Sequence, residues 1–544
     1  MITDAKKLDS GKDIETDLLI VGSGPAGITI ARKFIGTSIR VTVLESGGET
    51  YNTEVQSLYR GEITGTSAAP LDVARLRYFG GTSNHWAGWC RPFEREDFEV
   101  KKDWPESGWP ISLDDLNPYY DAATDVCQLG SNVFDDIEYW KSQPGGSQLS
   151  KLNIDEKRLL TSIFQVSPPT RFAPVYRQEL ENAPNINLIL NATALEVLKS
   201  DESSINDPVK KITGVLASTL DKKQFTINAR ATVIAVGGIE TSRLLLLSDK
   251  VFPQGAGNEN DMVGRYYMDH PWITSAAYLR FQSDDTKWPL YFDQTKLGKS
   301  KIFGTLSPAP TLKDTHQIGG FRLWLHPSTV STVGIDSART IIDKLKDGEL
   351  ADNLGDHIAN LFADSGQLAD VAYKTLFNEK ESPFGPDVDE DAPVIGASID
   401  LNFEQHPNPD SRLTLDTAVD ALGQRRIKLD WRLDDTDWKT AITALQTVAQ
   451  EMGRSNIGRV RVKLNGDKPD WPSLMSGSFH HMGGARMSSD PSKGVVNADC
   501  RVHSIDNLYV AGSAVFPTCG YANPTLTIVA LSLKLADHLH GVLS

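Results

Sequence analysis

TDLLIVGSGPAGITIARKFIGTSIRVTVLE, residues 16–45, has the pattern of a buried strand, a glycine turn, a helix and a second buried strand that ends in an acid. TDLLIV and RVTVL are short apolar runs, typical of strands that are buried on both faces. ITIARKFI, between them, has the apolar spacing of an amphipathic helix. This order of elements predicts an α/β domain whose sheet starts with a βαβ unit.

The glycines of this turn have the spacing that holds a dinucleotide. Gly22 permits the tight turn, Gly24 lets the backbone approach a pyrophosphate, and Gly27 brings helix and sheet close together. The diphosphate would lie on free N–H groups at the helix N-terminus. Glu45 lies 18 positions after Gly27 (45 − 27), where a carboxylate accepts hydrogen bonds from a ribose and repels a 2′-phosphate. The motif therefore disfavours NADP and leaves NAD and FAD open.

The same pattern returns twice, far along the chain. ATVIAVGG, residues 231–238, is another buried strand that ends in glycines, and the helical sequence IETSRLLLLS follows it. NLYVAGS, residues 507–513, is a third such strand. The closing helix is predicted to start at Asn523-Pro524, because Pro524 suits a first helical position that needs no N–H. We therefore expect one nucleotide domain assembled from three separate stretches.

Five blocks of sequence together resemble the glucose–methanol–choline (GMC) family of FAD-dependent oxidoreductases. The resemblance spans nearly the full length, is strongest at the two ends, and is most similar in detail to the pyranose-oxidase and bacterial sugar (glycoside) dehydrogenase branch. The blocks are GSGPAG with Glu45, FGGTSNHWAG at 79–88, VGRYYMDHP at 263–271, SFHHMGGARM at 478–487, and NLYVAGSAVFPTCGYANPTLTIVALSLKLADHL at 507–539.

The resemblance implies an α/β fold with a Rossmann-like FAD-binding domain and an α+β substrate-binding domain on an antiparallel sheet. Alternation and turn signals in residues 397–432 predict antiparallel strands, and Asp434 to Met452 has helical spacing. The polar segment 334–395 is predicted to be a surface excursion, either a lid or an oligomer contact. We expect the FAD-binding domain at 1–78, 168–270 and 475–544, and the substrate-binding domain at 79–167 and 271–474.

Alcohol oxidation requires a hydride acceptor and a base for the hydroxyl proton. His480 and His481 are candidates for the base, and their spacing does not choose between them because neighbours in an extended segment face opposite sides. The family pattern implies His480. It also places Asn523 at the second active-site position, where an amide can hold the substrate oxygen without titrating. A simpler role for Asn523 is that of a helix N-cap, and both roles could hold.

The resemblance implies a flavin pocket that includes His85. In pyranose-oxidase-like enzymes the corresponding histidine is covalently bonded to the flavin, whereas related sugar dehydrogenases bind FAD without this bond. Since Ala87 and Gly88 depart from the pyranose-oxidase continuation, we expect non-covalent FAD, with a covalent link at His85 as the alternative. The predicted cofactor-binding residues are Gly22, Gly24, Gly27, Glu45, Gly81, Ser83, Asn84, His85, Ala235, Gly237, Gly512, Ser513, Asn523, Pro524 and Thr525.

Other histidines and aromatic residues give weaker signals. We interpret His270 as a structural residue rather than an acid–base group, and His406 could line the substrate pocket. No histidine or cysteine spacing predicts a metal site. Aromatic residues that could stack on a sugar cluster at Trp86, Trp89, Trp104, Trp109 and Tyr119.

Composition excludes several classes of protein. The 544 residues are 40% hydrophobic and 23% charged, which is typical of a globular protein. With 55 Lys and Arg against 71 Asp and Glu, the net charge of -16 disfavours nucleic acids and anionic membranes as partners. A polar N-terminus and the lack of a long apolar run predict neither a secretory signal nor a membrane span. The four scattered cysteines, none of them within 160–200, predict no iron–sulfur cluster and a reduced, cytoplasmic protein.

These observations predict an FAD-dependent enzyme that oxidises a CH–OH group of a sugar, glycoside or sugar-like alcohol. His480 would take the hydroxyl proton, flavin N5 the hydride, and oxygen or a quinone-like acceptor the electrons. One alternative keeps the fold but acts on a non-sugar alcohol or performs lyase or light-driven chemistry. Two others are an NAD dehydrogenase without flavin and a non-catalytic binding protein.

Overall fold

Two large sheets take their strands from interleaved parts of the chain. A computed structural model describes residues 1–168, 170–200, 209–282, 288–292, 294–328, 354–363, 394–464, 469–472 and 475–544, together with positions 337, 341, 344, 350 and 466. The predicted surface excursion at 334–395 falls largely outside these residues.

The first sheet has eight strands and is mainly parallel, as the buried apolar runs predict. Ile212–Ser218 alone runs antiparallel to both of its neighbours. Leu508–Val510 pairs with the last residues of Gln224–Ile234. The spatial order of the other strands is Ile2–Asp4, Ile186–Leu190, Val41–Leu44, Asp13–Val21, Gln224–Ile234, Ile212–Ser218 and Thr193–Lys199.

Three helices follow strands of the first sheet. Pro25–Lys33 follows the first glycine turn, and Gly237–Leu247 follows the second. The closing helix is Thr525–Leu543, one residue later than predicted, with Pro524 as its N-cap. Its length and apolar content would suit a membrane span. Most of its side chains are nevertheless buried, and it packs against Pro25–Lys33 and Leu113–Val126, as a core helix does.

The second sheet is antiparallel throughout its nine strands, which confirms the predicted architecture. Helix Asp435–Arg454 packs on it, close to the bounds predicted from sequence, with Asp434 as N-cap. The strands are Trp89–Cys90, Leu159–Val166, Pro271–Phe281, Thr295–Leu297, Ser300–Pro308, Phe321–Ser328, Gly396–Phe403, Gly458–Val462 and Met475–Gly477.

A third sheet of three strands joins distant parts of the chain. Arg412–Val419 pairs with Arg425–Trp431, which in turn pairs in parallel with Glu62–Gly65. The predicted domain boundaries fall between these strands, and Met475–Gly477 of the second sheet lies just beyond the predicted end of the substrate-binding domain. The boundaries therefore stay a prediction.

The remaining helices in the described part of the chain connect strands along the sequence. Leu113–Val126 and Phe172–Asn182 are the longest of them. The others are Thr53–Gln56, Arg95–Phe98, Ile137–Ser142, Pro289–Phe292, Pro310–His316 and Leu354–Ala363, with 3₁₀ turns at Ala5–Lys7, Ser57–Tyr59, Gly81–Asn84, Ser248–Lys250 and Ser513–Val515. Each large sheet has its own hydrophobic core.

Candidate active site

The first glycine turn leaves a gap beside Gly24. Gly22 has φ +103°, and a Cβ there would lie 2.5 Å from the Ala235 carbonyl oxygen. A Cβ on Gly27 would lie 2.0 Å from the Gly22 carbonyl oxygen, so the helix packs on the strand only because both are glycine. A Cβ on Gly24, in contrast, would meet no protein atom within 4 Å. The three glycines thus have the separate roles that dinucleotide binding requires.

The later glycines border the same kind of open space. Gly237, with φ +82°, also faces nothing within 4 Å, and a Cβ on Gly512 would reach only the Ala26 methyl at 4.0 Å. Gly81 approaches the Gly24 Cα, since its Cβ would lie 3.2 Å away. The carboxyl ends of Asp13–Val21, Gln224–Ile234 and Leu508–Val510 meet here because these strands are parallel neighbours. The residues present therefore fit a bound dinucleotide.

Glu45 ends its strand beside this gap and is buried, at 6% exposure. Its Oε2 accepts hydrogen bonds from the Ser23 backbone N–H at 3.1 Å and the Ser23 hydroxyl at 2.6 Å. Its Oε1 accepts from the Gly47 N–H at 2.9 Å. The carboxylate is thereby fixed at the strand end, and contact with a ribose stays a prediction.

The turn before His85 is held by its own polar residues. The Ser83 hydroxyl donates to the Gly80 carbonyl at 2.7 Å, and the Asn84 amide donates to the Phe79 carbonyl at 2.9 Å. The His85 side chain is accessible at the surface of this turn. Partial desolvation, and secondarily the Arg171 cation, lower the pKa of His85, so its ring is neutral at physiological pH.

The remaining predicted cofactor residues lie at the ends of the later strands. The Ala235 N–H continues the sheet by donating to the Val21 carbonyl at 2.7 Å. The Ser513 hydroxyl donates to the His481 carbonyl at 2.7 Å and so holds the histidine segment against this sheet. Pro524 and Thr525 form the start of the closing helix.

Two histidine rings contact each other at the centre of the candidate site. His270 Nδ1 lies 2.9 Å from His480 Nδ1. His270 Nε2 lies 3.1 Å from the Cys519 carbonyl and 2.9 Å from the Gly520 carbonyl. Carbonyl oxygens only accept, so His270 Nε2 carries a proton, and in the neutral ring its Nδ1 is an acceptor. His480 Nδ1 must therefore donate to it, which leaves His480 Nε2 without a proton.

Asn523 contacts that unprotonated nitrogen. Its Nδ2 lies 3.1 Å from His480 Nε2 and donates to it. Its Oδ1 accepts a hydrogen bond from Arg322 Nη1. Arg322 cannot accept, so the Asn523 amide is held with its oxygen towards the cation and its nitrogen towards the histidine. Because the Asn523 side chain faces His480, it does not cap the closing helix, and the N-cap interpretation is wrong.

Both rings are neutral at physiological pH. Burial, followed by the neighbouring His270, Arg322 and His481, holds the pKa of His480 well below its usual range. Burial, with a smaller contribution from Arg322, lowers the pKa of His270 to about 4. His480 therefore offers an unprotonated Nε2, the form that a general base needs.

His481 points elsewhere, as expected for the neighbour of His480. Its ring lies 6.2 Å from that of Tyr267, and burial with the nearby Arg75 lowers its pKa to about 3. Of the two adjacent histidines, the structure places His480 beside Asn523.

Asp269 holds the segment that carries His480. Its Oδ1 accepts from the backbone N–H groups of His270 at 2.7 Å, Ser478 at 3.1 Å and His480 at 2.9 Å. Gly477 leaves room for the carboxylate, since a Cβ there would lie 2.4 Å from Asp269 Oδ2. The sequence did not predict this role of Asp269, and it predicted only a structural role for His270. Their one signal was the MDHP block, which contains both residues.

The aromatic cluster predicted from sequence is not one surface. Trp89 lies on the second sheet, with its ring centroid 4.6 Å from that of Trp324 and 4.9 Å from that of Phe303. Trp109 is buried among core aromatics, including Phe516 at 4.9 Å. Of the predicted cluster, only Trp89 therefore lies near Arg322. The guanidinium carbon of Arg322 is 5.4 Å from the ring centroid of Trp89.

His406 does not contact this group. Its Nδ1 lies 2.8 Å from Asp434 Oδ2, and its backbone N–H donates to Asp437 at 2.7 Å, at the start of helix Asp435–Arg454. Its ring contacts Trp104 edge-on at 4.9 Å. A role in the pocket has no support in these contacts. No group of metal-ligating side chains occurs in the part of the chain that the structure describes.

A family model for GMC oxidoreductases matches residues 407–532, which include His480 and Asn523. The chain is 24% identical to 2-methyl-1,2-propanediol dehydrogenase of Mycolicibacterium austroafricanum, over 96% of this chain and 95% of the relative. It is 22% identical to the fructose dehydrogenase large subunit of Gluconobacter japonicus, over 97% of this chain and 98% of the relative. Among solved structures, a formate oxidase from Aspergillus oryzae studied for FAD modification superposes with a TM-score of 0.54 at 16% identity, covering 99% of this chain and 100% of the other.

The chain is therefore similar to GMC oxidoreductases over nearly its full length, and residues 407–532 match the family model. The chain is an oxidoreductase enzyme, and these similarities support a flavoprotein with FAD as its cofactor, which agrees with the glycine-lined gap. The structural likeness confirms the predicted fold.

Proposed function

We propose that this enzyme oxidises a CH–OH group of a sugar, glycoside or sugar-like alcohol to the carbonyl, with His480 as the base. The unprotonated His480 Nε2, beside the Asn523 amide at 3.1 Å, carries this proposal. FAD, when bound, supplies N5 as the acceptor of the substrate hydride.

The surroundings of His480 suit the transfer of a proton from a hydroxyl group. Nε2 takes the proton, and the ring then bears a positive charge. The His480 Nδ1–H bond to His270 lets the two rings share that charge, because His270 Nδ1 is the acceptor in this bond. The Asn523 Nδ2–H group, which donates to Nε2 in this structure, can turn to the substrate oxygen when substrate binds, as an amide does without a change of protonation.

A sugar-like substrate is supported by two observations. One relative is a fructose dehydrogenase subunit, and another is a dehydrogenase of a small diol. In addition, Trp89 and Trp324 present aromatic rings near Arg322 on the second sheet, and such rings commonly pack on apolar sugar faces. We propose oxygen or a quinone-like compound as the final acceptor.

We further propose that FAD is bound without a covalent link and that the protein works in a reduced, cytoplasmic location. The four cysteines are all free and buried, which agrees with a reducing environment. If acid precipitation leaves yellow colour in the pellet, a covalent link, with His85 as its candidate, replaces the first of these proposals.

The decisive experiment mixes the purified yellow enzyme anaerobically with sugars, glycosides and simple alcohols, and follows bleaching of the flavin. We expect bleaching by a sugar or glycoside, and a rate at least about a hundredfold lower in His480→Gln, since the base is lost. His316→Gln, at an exposed position, is the matched control and should keep the wild-type rate.

Two results would contradict the proposal. Fast flavin reduction in His480→Gln would mean that another group takes the proton. A flavin that only non-sugar alcohols bleach, or that no alcohol bleaches, would favour the alternatives of a different alcohol substrate or of lyase or light-driven chemistry.

A further inference from the structure

Arg322 is a buried cation that no carboxylate balances in the part of the chain that the structure describes. The residue is 5% exposed, and burial lowers the pKa of its guanidinium to about 9. The one hydrogen bond that it donates there goes to the neutral Asn523 amide. Its Nε and Nη2 groups bond to no described residue and are not fully enclosed by protein atoms.

The other neighbours of Arg322 are aromatic. Its guanidinium carbon lies 5.2 Å from the Phe164 ring centroid and 5.4 Å from that of Trp89. Tyr521 also acts on the Arg322 pKa, but its phenol is a weak acid whose own pKa burial raises well above the usual value. Aromatic faces attract a guanidinium modestly, far less than a paired carboxylate does.

A carboxylate two positions from the residue that pairs with Arg322 is already engaged. Asp400 lies on the strand paired with that of Arg322, at the level of Trp324. It accepts from the Trp272 indole N–H at 3.1 Å and from the Ser275 backbone N–H at 2.7 Å, and it lies 3.2 Å from His326 Nε2. The Asp400 carboxylate therefore contacts other groups and does not pair with Arg322.

A buried, unpaired charge is costly, and such groups persist where a ligand supplies the opposite charge. The free N–H groups of a guanidinium match the two oxygens of a carboxylate in a forked geometry. We propose that Arg322 binds the carboxylate of an anionic substrate, a sugar acid or carboxylated glycoside, whose nearby hydroxyl lies at His480. This inference rests on the proposed oxidation of a sugar-like CH–OH group.

The contacts also limit how far the two groups of the substrate can be apart. A single amide, that of Asn523, separates Arg322 Nη1 from His480 Nε2. The hydroxyl that is oxidised should therefore lie only a few bonds from the carboxylate, as in the hydroxyl groups next to the acid carbon of an aldonate or uronate.

The test compares matched pairs of anionic and neutral compounds on the FAD-loaded enzyme under anaerobic conditions. D-gluconate is compared with D-glucitol, and methyl β-D-glucuronide with methyl β-D-glucoside, by flavin bleaching. We expect half-saturation by at least one anionic member at a concentration at least tenfold lower than by its neutral partner. Arg322→Gln should abolish the difference, and Arg322→Lys should keep part of it.

Arg459→Gln is the control, since it removes one positive charge from an exposed position of the same sheet and should leave the preference unchanged. Acetate, which cannot be oxidised in this way, provides a second readout. It should shift the flavin absorption of the wild type at millimolar concentration, and a hundredfold more should be needed in Arg322→Gln.

The outcomes separate the two proposals. Bleaching by neutral sugars without an advantage for the anionic ones, or a preference that survives in Arg322→Gln, would overturn the role of Arg322 and leave the proposed function intact. If no polyol bleaches the flavin, the proposed function fails. The acetate titration then still decides whether Arg322 binds a carboxylate.

Discussion

The hydrogen-bonding direction at His480 is imposed by groups that cannot reverse their roles. At one end are the Cys519 and Gly520 carbonyls, which only accept, and at the other is Arg322, which only donates. His270, His480 and Asn523 lie between these groups. In each of the three, the bond to one neighbour fixes which atom donates and which accepts in the bond to the next. The lone pair on His480 Nε2 is thus a consequence of the whole chain of bonds rather than of one residue.

Replacement of Asn523 tests this argument through pH. Because the pKa of wild-type His480 is held well below its usual range, flavin reduction should stay constant from pH 8 down to below the ordinary histidine pKa of about 6.5. In Asn523→Asp a carboxylate beside Nε2 stabilises the imidazolium and raises that pKa. The base is then protonated at higher pH, so the rate should begin to fall at a pH at least about one unit higher than in the wild type.

Asn523→Ala removes the amide without adding charge and is the matched variant. It should reduce the rate with little change in the shape of the pH profile. Stopped-flow measurement of anaerobic flavin reduction between pH 4 and 9 gives both quantities. If the pH profile of Asn523→Asp coincides with that of the wild type, the residue at position 523 does not influence the pKa of His480.

At the scale of elements, the glycine turn could be predicted from sequence and the polar face of the second sheet could not. The strands, the turn and the helix of residues 16–45 could be predicted because the local spacing of apolar residues and glycines determines the backbone conformation there. The strand FRLWLH, residues 321–326, alternates Arg322 and Trp324 with buried leucines, which predicts a strand but not what its polar face meets. The contact of His270 with His480 joins positions 210 residues apart, for which a single sequence carries no local signal.

Two alanine substitutions in the first turn should separate folding from cofactor binding. Gly24→Ala places a methyl group in space that no protein atom occupies within 4 Å, so stability should be nearly unchanged while FAD affinity falls at least about tenfold. Gly27→Ala forces a Cβ towards the Gly22 carbonyl, at 2.0 Å, and should lower the free energy of unfolding by about 1–3 kcal/mol or more. Urea denaturation of the apoproteins and FAD titration measure the two effects.

The opposite pattern would contradict the assigned roles. A Gly24→Ala protein that is strongly destabilised would show that the turn itself needs glycine there. A Gly24→Ala protein that binds FAD as the wild type does would show that the diphosphate lies elsewhere.

At the scale of the whole molecule, the FAD site joins segments that are far apart in the chain. Gly24, Gly81, Gly237 and Gly512 border the gap, and the helix Thr525–Leu543 packs against Pro25–Lys33, the helix that follows the first turn. The two large sheets have separate cores, and the small sheet ties residues 62–65 to residues 425–431. A ligand in the gap therefore contacts segments from the N-terminal, middle and C-terminal parts of the chain at once.

Bound FAD should consequently stabilise the molecule as a unit. At a free concentration a hundred times Kd, FAD should raise the free energy of unfolding by about 2.7 kcal/mol relative to the apoprotein, because only the folded chain binds it. FMN lacks the adenosine monophosphate that the first glycine turn is proposed to hold, so it should give a much smaller increase at the same concentration. Thermal unfolding of apoprotein with increasing FAD or FMN measures this, and Gly24→Ala should respond to FAD only at higher concentration. Equal stabilisation by the two flavins would place the binding energy at the isoalloxazine end of the site and remove the role assigned to the turn of residues 22–27.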